Sequence, residues 1–211
     1  PTILGASKYA VKVNGKDAVE VLGTATRYKI SLDREGTNVI EICYYDKAGE
    51  ASEWARIEVV AYKVTLRYNM EGYEDYATLY RAQNDPLELP DDEVTLVGYG
   101  FDYWMGESSG VQYTGTRLET GADLTLYAHW TPKEYTVTFV VAGGTMSETT
   151  FKVTYRQNYV LPTPESDLVT KAFSGWYTAP GSNGIQYTDH TGAGKSVWSD
   201  AEGRILYAGW I

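Results

Sequence analysis

The sequence predicts a mainly β protein built from small units in tandem. Apolar and polar residues alternate through short runs, separated by turn signals such as Asn14-Gly15 and Gly143-Gly144. No ten-residue stretch carries a helical period. One block also occurs twice: Leu-Tyr-Ala-His-Trp at 126–130 and Leu-Tyr-Ala-Gly-Trp at 206–210. Each closes a segment that opens Tyr-x-Val-Thr, at Tyr62 and again at Tyr135. A repeat of this size decides architecture before any single residue does. It divides the chain into 1–61, 62–131 and 132–211.

In residues 1–61, Tyr9, Val11 and Val13 share a face with Lys8 and Lys12 opposite, and Asn14-Gly15 turns the chain. Val19 and Val21 resume the alternation, and Tyr28, Ile30 and Leu32 repeat it. After the turn at Asp33–Gly36, Ile40, Ile42 and Tyr44 point inward; Ala55, Ile57 and Val59 close the unit. About five strands with turns between them predict a small β-sandwich. The run Glu35–Ile42, the turn Asp46-Lys47-Ala48-Gly49-Glu50 and the strand ending at Val60 resemble bacterial immunoglobulin-like domains. A full sandwich of that kind has seven strands, and the expectation is that its first strand is missing here or is formed by Pro1–Leu4.

Residues 62–131 and 132–211 are two copies of one pattern. Val64, Leu66 and Tyr68 open the first copy; Val137, Phe139 and Val141 open the second. Leu89-Pro90 matches Leu161-Pro162, Phe101–Trp104 matches Phe173–Trp176, and in both copies the proline precedes the tryptophan by 14 residues. Tyr113 matches Tyr187, and Gln83-Asn84 is aligned with Gln157-Asn158. These motifs resemble the Listeria–Bacteroides repeat, the internalin B-repeat family: Tyr-x-Val-x-Phe, Leu-Pro-x-Pro, Gly-Tyr-x-Phe-x-Gly-Trp-Tyr, Leu-Tyr-Ala-x-Trp. The second copy has Thr170-Lys171 in place of the Gly-Tyr pair. The first lacks the second proline (Asp92), the glycine before tryptophan (Tyr103) and the tyrosine after it (Met105). The resemblance implies small β-grasp-like units of four strands, arrayed in an elongated tandem on bacterial surface proteins.

Charge and cysteine content narrow the partners. The net charge is −10, and residues 62–131 carry −8 of it. Such a surface repels phosphate backbones and anionic lipid, so no nucleic-acid partner and no electrostatic membrane docking are expected. Cys43 is the only cysteine, which excludes a disulfide-stapled scaffold. No apolar run approaches the ~18 residues of a membrane span, so this chain is expected to insert in no membrane. The chain starts at Pro1 without a signal peptide and is expected to be a piece of a longer protein.

The candidate sites are weighed against ordinary structural roles. Trp104, Trp130, Trp176 and Trp210 recur at equivalent positions and read as core, because a small sheet needs large side chains to fill its buried face. Aromatics outside the pattern, Tyr73, Tyr103, Trp54 and Trp198, are the candidates for a platform that stacks a sugar or peptide. Gly192-Ala193-Gly194-Lys195-Ser196 mimics the end of a phosphate-binding loop. Asp189 stands where that loop needs its first glycine, and no helix is predicted to follow. Asp91-Asp92-Glu93 and Glu71/Glu74/Asp75 lack the calcium-loop signature and read as a solvated acidic face. His129 and His190 form no metal pattern; His129 reads as pointing to solvent, and Cys43 as filler opposite Ile42 and Tyr44.

The expectation is therefore a non-catalytic, monomeric array without metal or cofactor. It would act as adhesin-type stalk and interaction repeats outside the cell or on the cell wall of a Gram-positive bacterium. A host or matrix protein, or a glycan, would be its partner. The alternatives are a glycan- or peptide-binding module, or an accessory region of a secreted surface hydrolase.

Overall fold

The computed structural model describes residues 5–25, 27–106 and 110–211. Among them the secondary structure is all β, with no helix. Pro1–Leu4, offered above as a first strand, lie outside the described residues. The chain divides into two compact units, Pro1–Pro90 with Tyr103–His129 and Asp91–Asp102 with Trp130–Ile211.

The early strands are β1 (Lys8–Val13), β2 (Val19–Leu22), β3 (Gly36–Tyr45) and β4 (Ala55–Arg67). They run β2-β1-β3-β4 in one antiparallel sheet. The Asn14-Gly15 turn forms as its residues dictate: φ is 52° and 74°, and Lys16 N–H closes the turn on the Val13 carbonyl at 3.1 Å. Asn38, fully buried, anchors this end. It accepts from Asn14 Nδ2 at 2.8 Å and donates to the carbonyls of Arg34 and Gly36.

Two expectations for this segment are corrected. Tyr28, Ile30 and Leu32 alternate but form no strand. Both edges of β1 and β3 are already paired, so a strand between β2 and β3 in sequence could pair only outside β2. Instead Ala25, Arg27 and Tyr28 pass over the sheet's apolar face, lining a cavity with Tyr9, Val11 and Ile42. Where two facing sheets were expected, the described residues up to Ala61 form one sheet layered by irregular chain.

β4 continues without a break into the first repeat. Ala55–Ala61 pair with β3, and Ala61–Arg67 pair with β5 (Asp75–Ala82). Ala61 is paired on both sides, with Gly36 and with Ala82. Strands β6 (Tyr99–Gly106) and β7 (Leu124–Pro132) follow. The repeat's order is β5-β4-β7-β6, with β4 and β7 parallel.

The second repeat comprises β8 (Glu134–Val140), β9 (Gly144–Thr145), β10 (Thr150–Thr154), β11 (Glu165–Ser166), β12 (Phe173–Ala179), β13 (Asn183–Gln186) and β14 (Arg204–Trp210). Its main sheet runs β10-β8-β14-β12-β13, with β8 and β14 parallel. The two copies thus share one topology. The repeated Leu-Tyr-Ala-x-Trp strand lies inside the sheet, beside the copy's opening strand. That place explains its residues: Leu126, Ala128, Leu206 and Ala208 are all buried, and the tyrosines between them face the other way.

Core positions correspond between copies: Val64 with Val137, Leu66 with Phe139, Trp104 with Trp176. Trp104 and Trp176 are buried as expected, at 4% and 0% exposure, whereas Trp130 and Trp210 are only half-buried. They lie at the end of the strand, where Phe101 and Phe173 meet them edge-on at 5.6 and 6.0 Å.

The expected match of Gln83-Asn84 with Gln157-Asn158 is shifted by two residues. Asn84 and Arg156 both have positive φ, and their N–H groups donate to the carbonyls of Leu118 and Trp198 respectively, each at 2.7 Å. Leu118 and Trp198 return their own N–H groups to Asp85 and Gln157. Trp198 is therefore the repeat equivalent of Leu118.

Candidate functional site

The β4–β5 connection builds a polar concavity in the first unit. β4 ends at Arg67, where the ladder is irregular between Leu66 and Arg67. Asn69 and Gly72 take positive φ, and Tyr73 N–H closes a turn on Met70. Asn69 Nδ2 reaches the Ala128 carbonyl at 3.3 Å, tying the loop to the Leu-Tyr-Ala-x-Trp strand. The result is a cavity of about 490 Å³, lined by Tyr68, Asn69, Glu71, Tyr73, Glu74 and Tyr127, with Arg67 and Asp75 at one side.

Its aromatic groups are positioned from the core outward. Trp104 touches Tyr76 at 6.0 Å, Tyr76 meets Tyr68 edge-on at 5.5 Å, and Tyr68 meets Tyr73 at 5.3 Å. Tyr73 ends the series with half its surface exposed. Arg67 is held in place by Asp75 at 3.0 Å and lies 5.8 Å from the centre of the Tyr127 ring. Ring faces beside carboxylates and an amide can stack a sugar or hold a cationic side chain while hydrogen-bonding its polar groups.

Two separate expectations meet in this cavity: Tyr73, a candidate platform ring, and the acidic group Glu71/Glu74/Asp75. Sequence reasoning missed Tyr68, Asn69 and Tyr127. Tyr127 carried a signal, since it alternates with the inward Leu126 and Ala128. Its meeting with a loop some sixty residues away did not show in the sequence.

The other candidates lie apart. Trp198 is not a platform; at 1% exposure it fills the second repeat's core, where Tyr159 packs on it edge-on at 5.4 Å. The shorter loops of the first copy hid its match to Leu118. Tyr103 is stacked flat on His129 at 4.6 Å, so His129 covers a ring instead of pointing freely to solvent. Trp54 is partly exposed beneath the Lys12 ammonium, 4.2 Å from its ring centre. Cys43 is buried on β3 opposite Ala10, and His190 is exposed beside Asp189.

Gly192–Ser196 is a turn between paired segments. Asp189 Oδ1 accepts from Thr191 N, Thr191 Oγ1 and Ala193 N, and Lys195 Nζ donates to Gln186 at 3.1 Å. Its glycines are required by packing: a Cβ on Gly192 or Gly194 would overlap the Leu161 carbonyl or the Tyr159 ring. Asp91–Glu93 form an exposed turn closed by Val94 N–H on the Asp91 carbonyl. Among the described residues, no three His, Cys, Asp or Glu side chains gather as metal ligands.

The fold and its motifs define a class: tandem open β units, each with its opening strand parallel to its closing strand. Comparison with known families gives the class its name. The Listeria-Bacteroides repeat domain matches residues 62–129 and again 135–203, more than half the chain, and the chain belongs to that family. Repeats of this family occur in bacterial surface proteins. No curated protein matches the chain.

Proposed function

We propose that this chain is a non-catalytic interaction region of a bacterial cell-surface protein, extracellular or wall-associated, in which the repeats serve as adhesin-type stalk and contact units. Family membership supports the surface setting. The observation that carries the interaction role is the Tyr68–Tyr73–Tyr127 cavity with its acidic rim, set in the copy that also bears most of the negative charge. The second copy has no tyrosine in the corresponding turn, residues 141–149. The internalin B-repeat kinship belongs to the same reading, as does the resemblance of Glu35–Ile42 and Asp46–Glu50 to immunoglobulin-like domains, with the single sheet described above in place of a sandwich.

The cavity favours a glycan or a basic peptide of a host or matrix protein, because both present groups that rings and carboxylates recognise together. The test is a glycan array beside fluorescence titration with lysine-containing peptides, using the parent chain and Tyr73→Ala. Saturable binding that weakens about tenfold in the variant is expected, with stability within about 0.5 kcal/mol because Tyr73 is exposed. Absence of any hit with either ligand class overturns the reading.

A further inference from the structure

A second surface, on the first sheet, has the construction of a strand acceptor. Cross-strand registers place Tyr9, Val11, Val13, Val21, Ile42 and Ile57 on one face of β1–β4. That face is incompletely covered: Ile57 is 54% exposed, as is 51% of neighbouring Val19. A cavity of about 600 Å³ opens over it between the sheet and Ala25, Arg27 and Tyr28.

Beside the cavity, β2 is the last strand of the sheet. Its backbone polarity follows from two hydrogen bonds. Asn14 N–H donates to the Val39 carbonyl, so the even-numbered residues of β1 face β3 and its odd-numbered residues face β2. Gly23 N–H donates to the Ser7 carbonyl, in the same phase. Val19 and Val21 therefore spend their backbone groups on β1, while the N–H groups of Glu20 and Leu22 and the Glu20 carbonyl point outward. Neither a proline nor a bulge guards this edge among the described residues, and Glu20's carboxylate is paired with Lys8 on the opposite face.

We propose that β2 accepts an extended peptide segment of a partner protein as an additional strand. Such a strand bonds the main-chain groups of Glu20 and Leu22, and its residues opposite Val19 and Val21 fall on the apolar face at the mouth of the cavity. Charge selects the segment further. Arg27 and Glu53 line the cavity, and among the described residues neither has an ion-pair partner. The complementary strand places apolar residues, and one acidic and one basic residue to meet Arg27 and Glu53, on the same alternate positions that face the cavity. This inference goes beyond the ligand reading above and uses none of the cavity residues at the β4–β5 turn.

The probe is a synthetic eight-residue peptide with two valines, one glutamate and one lysine at the alternate, cavity-facing positions and threonine between them. Controls are the same peptide N-methylated at every second amide, in either phase, and a scrambled peptide. Fluorescence anisotropy with the full chain is expected to give saturable binding in the micromolar range, lost in one N-methylation phase only. Val21→Lys and Arg27→Glu should each weaken it about tenfold. Hydrogen exchange at the Glu20 and Leu22 amides should slow on binding, which keeps the proposal testable if Val21→Lys fails to fold. Equal binding of both methylated peptides, of the scrambled peptide, or unchanged exchange at Glu20 and Leu22 overturns it. Tyr73→Ala should leave this binding intact, so its failure and that of the β4–β5 site are read separately.

Discussion

The indole N–H of Trp176 donates to the carbonyl oxygen of Pro162 at 2.9 Å, fourteen residues earlier in the chain. Trp104 does the same to Pro90 at 2.7 Å. The repeated spacing is thus a contact. A proline carbonyl, on a residue with no N–H to enter a ladder, is left to accept from a buried indole that would otherwise lose its partner. Phe139 stacks on Trp176 at 4.4 Å, and Thr188 Oγ1, fully buried, accepts from the Trp176 backbone N–H at 3.0 Å. Trp176→Phe is expected to cost about 1–3 kcal/mol, for a lost hydrogen bond and an orphaned carbonyl. Trp176→Ala should cost about 3–5 kcal/mol, because a cavity is added. Urea unfolding of the three proteins checks this; an unchanged midpoint in Trp176→Phe means the bond contributes nothing.

The copies diverge in a linked way. In the second, a Cβ on Gly209 would overlap the Tyr177 ring and the Ser174 hydroxyl. In the first, His129 takes the place of Gly209, Met105 takes that of Tyr177, and the histidine stacks on Tyr103. The three differences are one exchange of packing partners. Gly209→His alone should therefore destabilise by about 1–3 kcal/mol through overpacking. Adding Tyr177→Met should recover part of it, with a coupling of about 1 kcal/mol or more in a double-mutant cycle. Additive effects of the two substitutions would show that the ring and the glycine are independent.

How far the sequence disclosed all this depends on whether the partner of each residue was local. Asn14-Gly15 carries its conformation in its own residue types, and the turn forms as they require. The Pro–Trp spacing was visible because both copies kept it. Alternation at Tyr28, Ile30 and Leu32 pointed to a strand, yet a strand also needs a free edge, which depends on sheet order and not on local pattern. Trp198 was misplaced because insertions before it concealed its equivalence to Leu118. The β4–β5 cavity joins a loop to Tyr127, and only the parallel pairing of β4 with β7 brings them together.

Asn38 makes the hairpin end of the first sheet a sensitive point. Its side chain accepts from Asn14 and donates to two carbonyls, with no exposed surface. Asn14 in turn accepts from Val39 N–H at 2.8 Å and from Arg34 at 3.1 Å. Removing one member strands the others in a buried site. Asn38→Ala is expected to cost about 1–3 kcal/mol, and Asn38→Asp to rescue little of it, since a carboxylate cannot donate to the Arg34 and Gly36 carbonyls. Thermal unfolding of both variants decides it; a rescued Asn38→Asp would remove the donor role.

The second unit should unfold more readily in alkali than its compactness alone implies. Burial pushes the phenols of both Tyr159 and Tyr187 up to about 12; the nearby Asp200 charge adds to this, and Tyr187 also donates its hydroxyl to that carboxylate. Arg204 grips Asp200 with two hydrogen bonds, at 2.9 and 3.1 Å, and holds its carboxyl below the usual carboxylate range. The signs differ. A phenol whose pKa is raised on folding keeps a proton that the unfolded chain gives up near pH 10. Its contribution is complete below about pH 10 and is lost as pH rises through 12. Asp200, lowered on folding, contributes above about pH 4 and loses that contribution as pH falls through its folded value. Denaturant midpoints measured from neutral pH into this alkaline window should therefore fall steeply. Tyr159→Phe with Tyr187→Phe should start lower, for want of the Asp200 hydrogen bond, but decline less across the window. An equally steep decline in the double variant would place the alkaline sensitivity elsewhere in the chain.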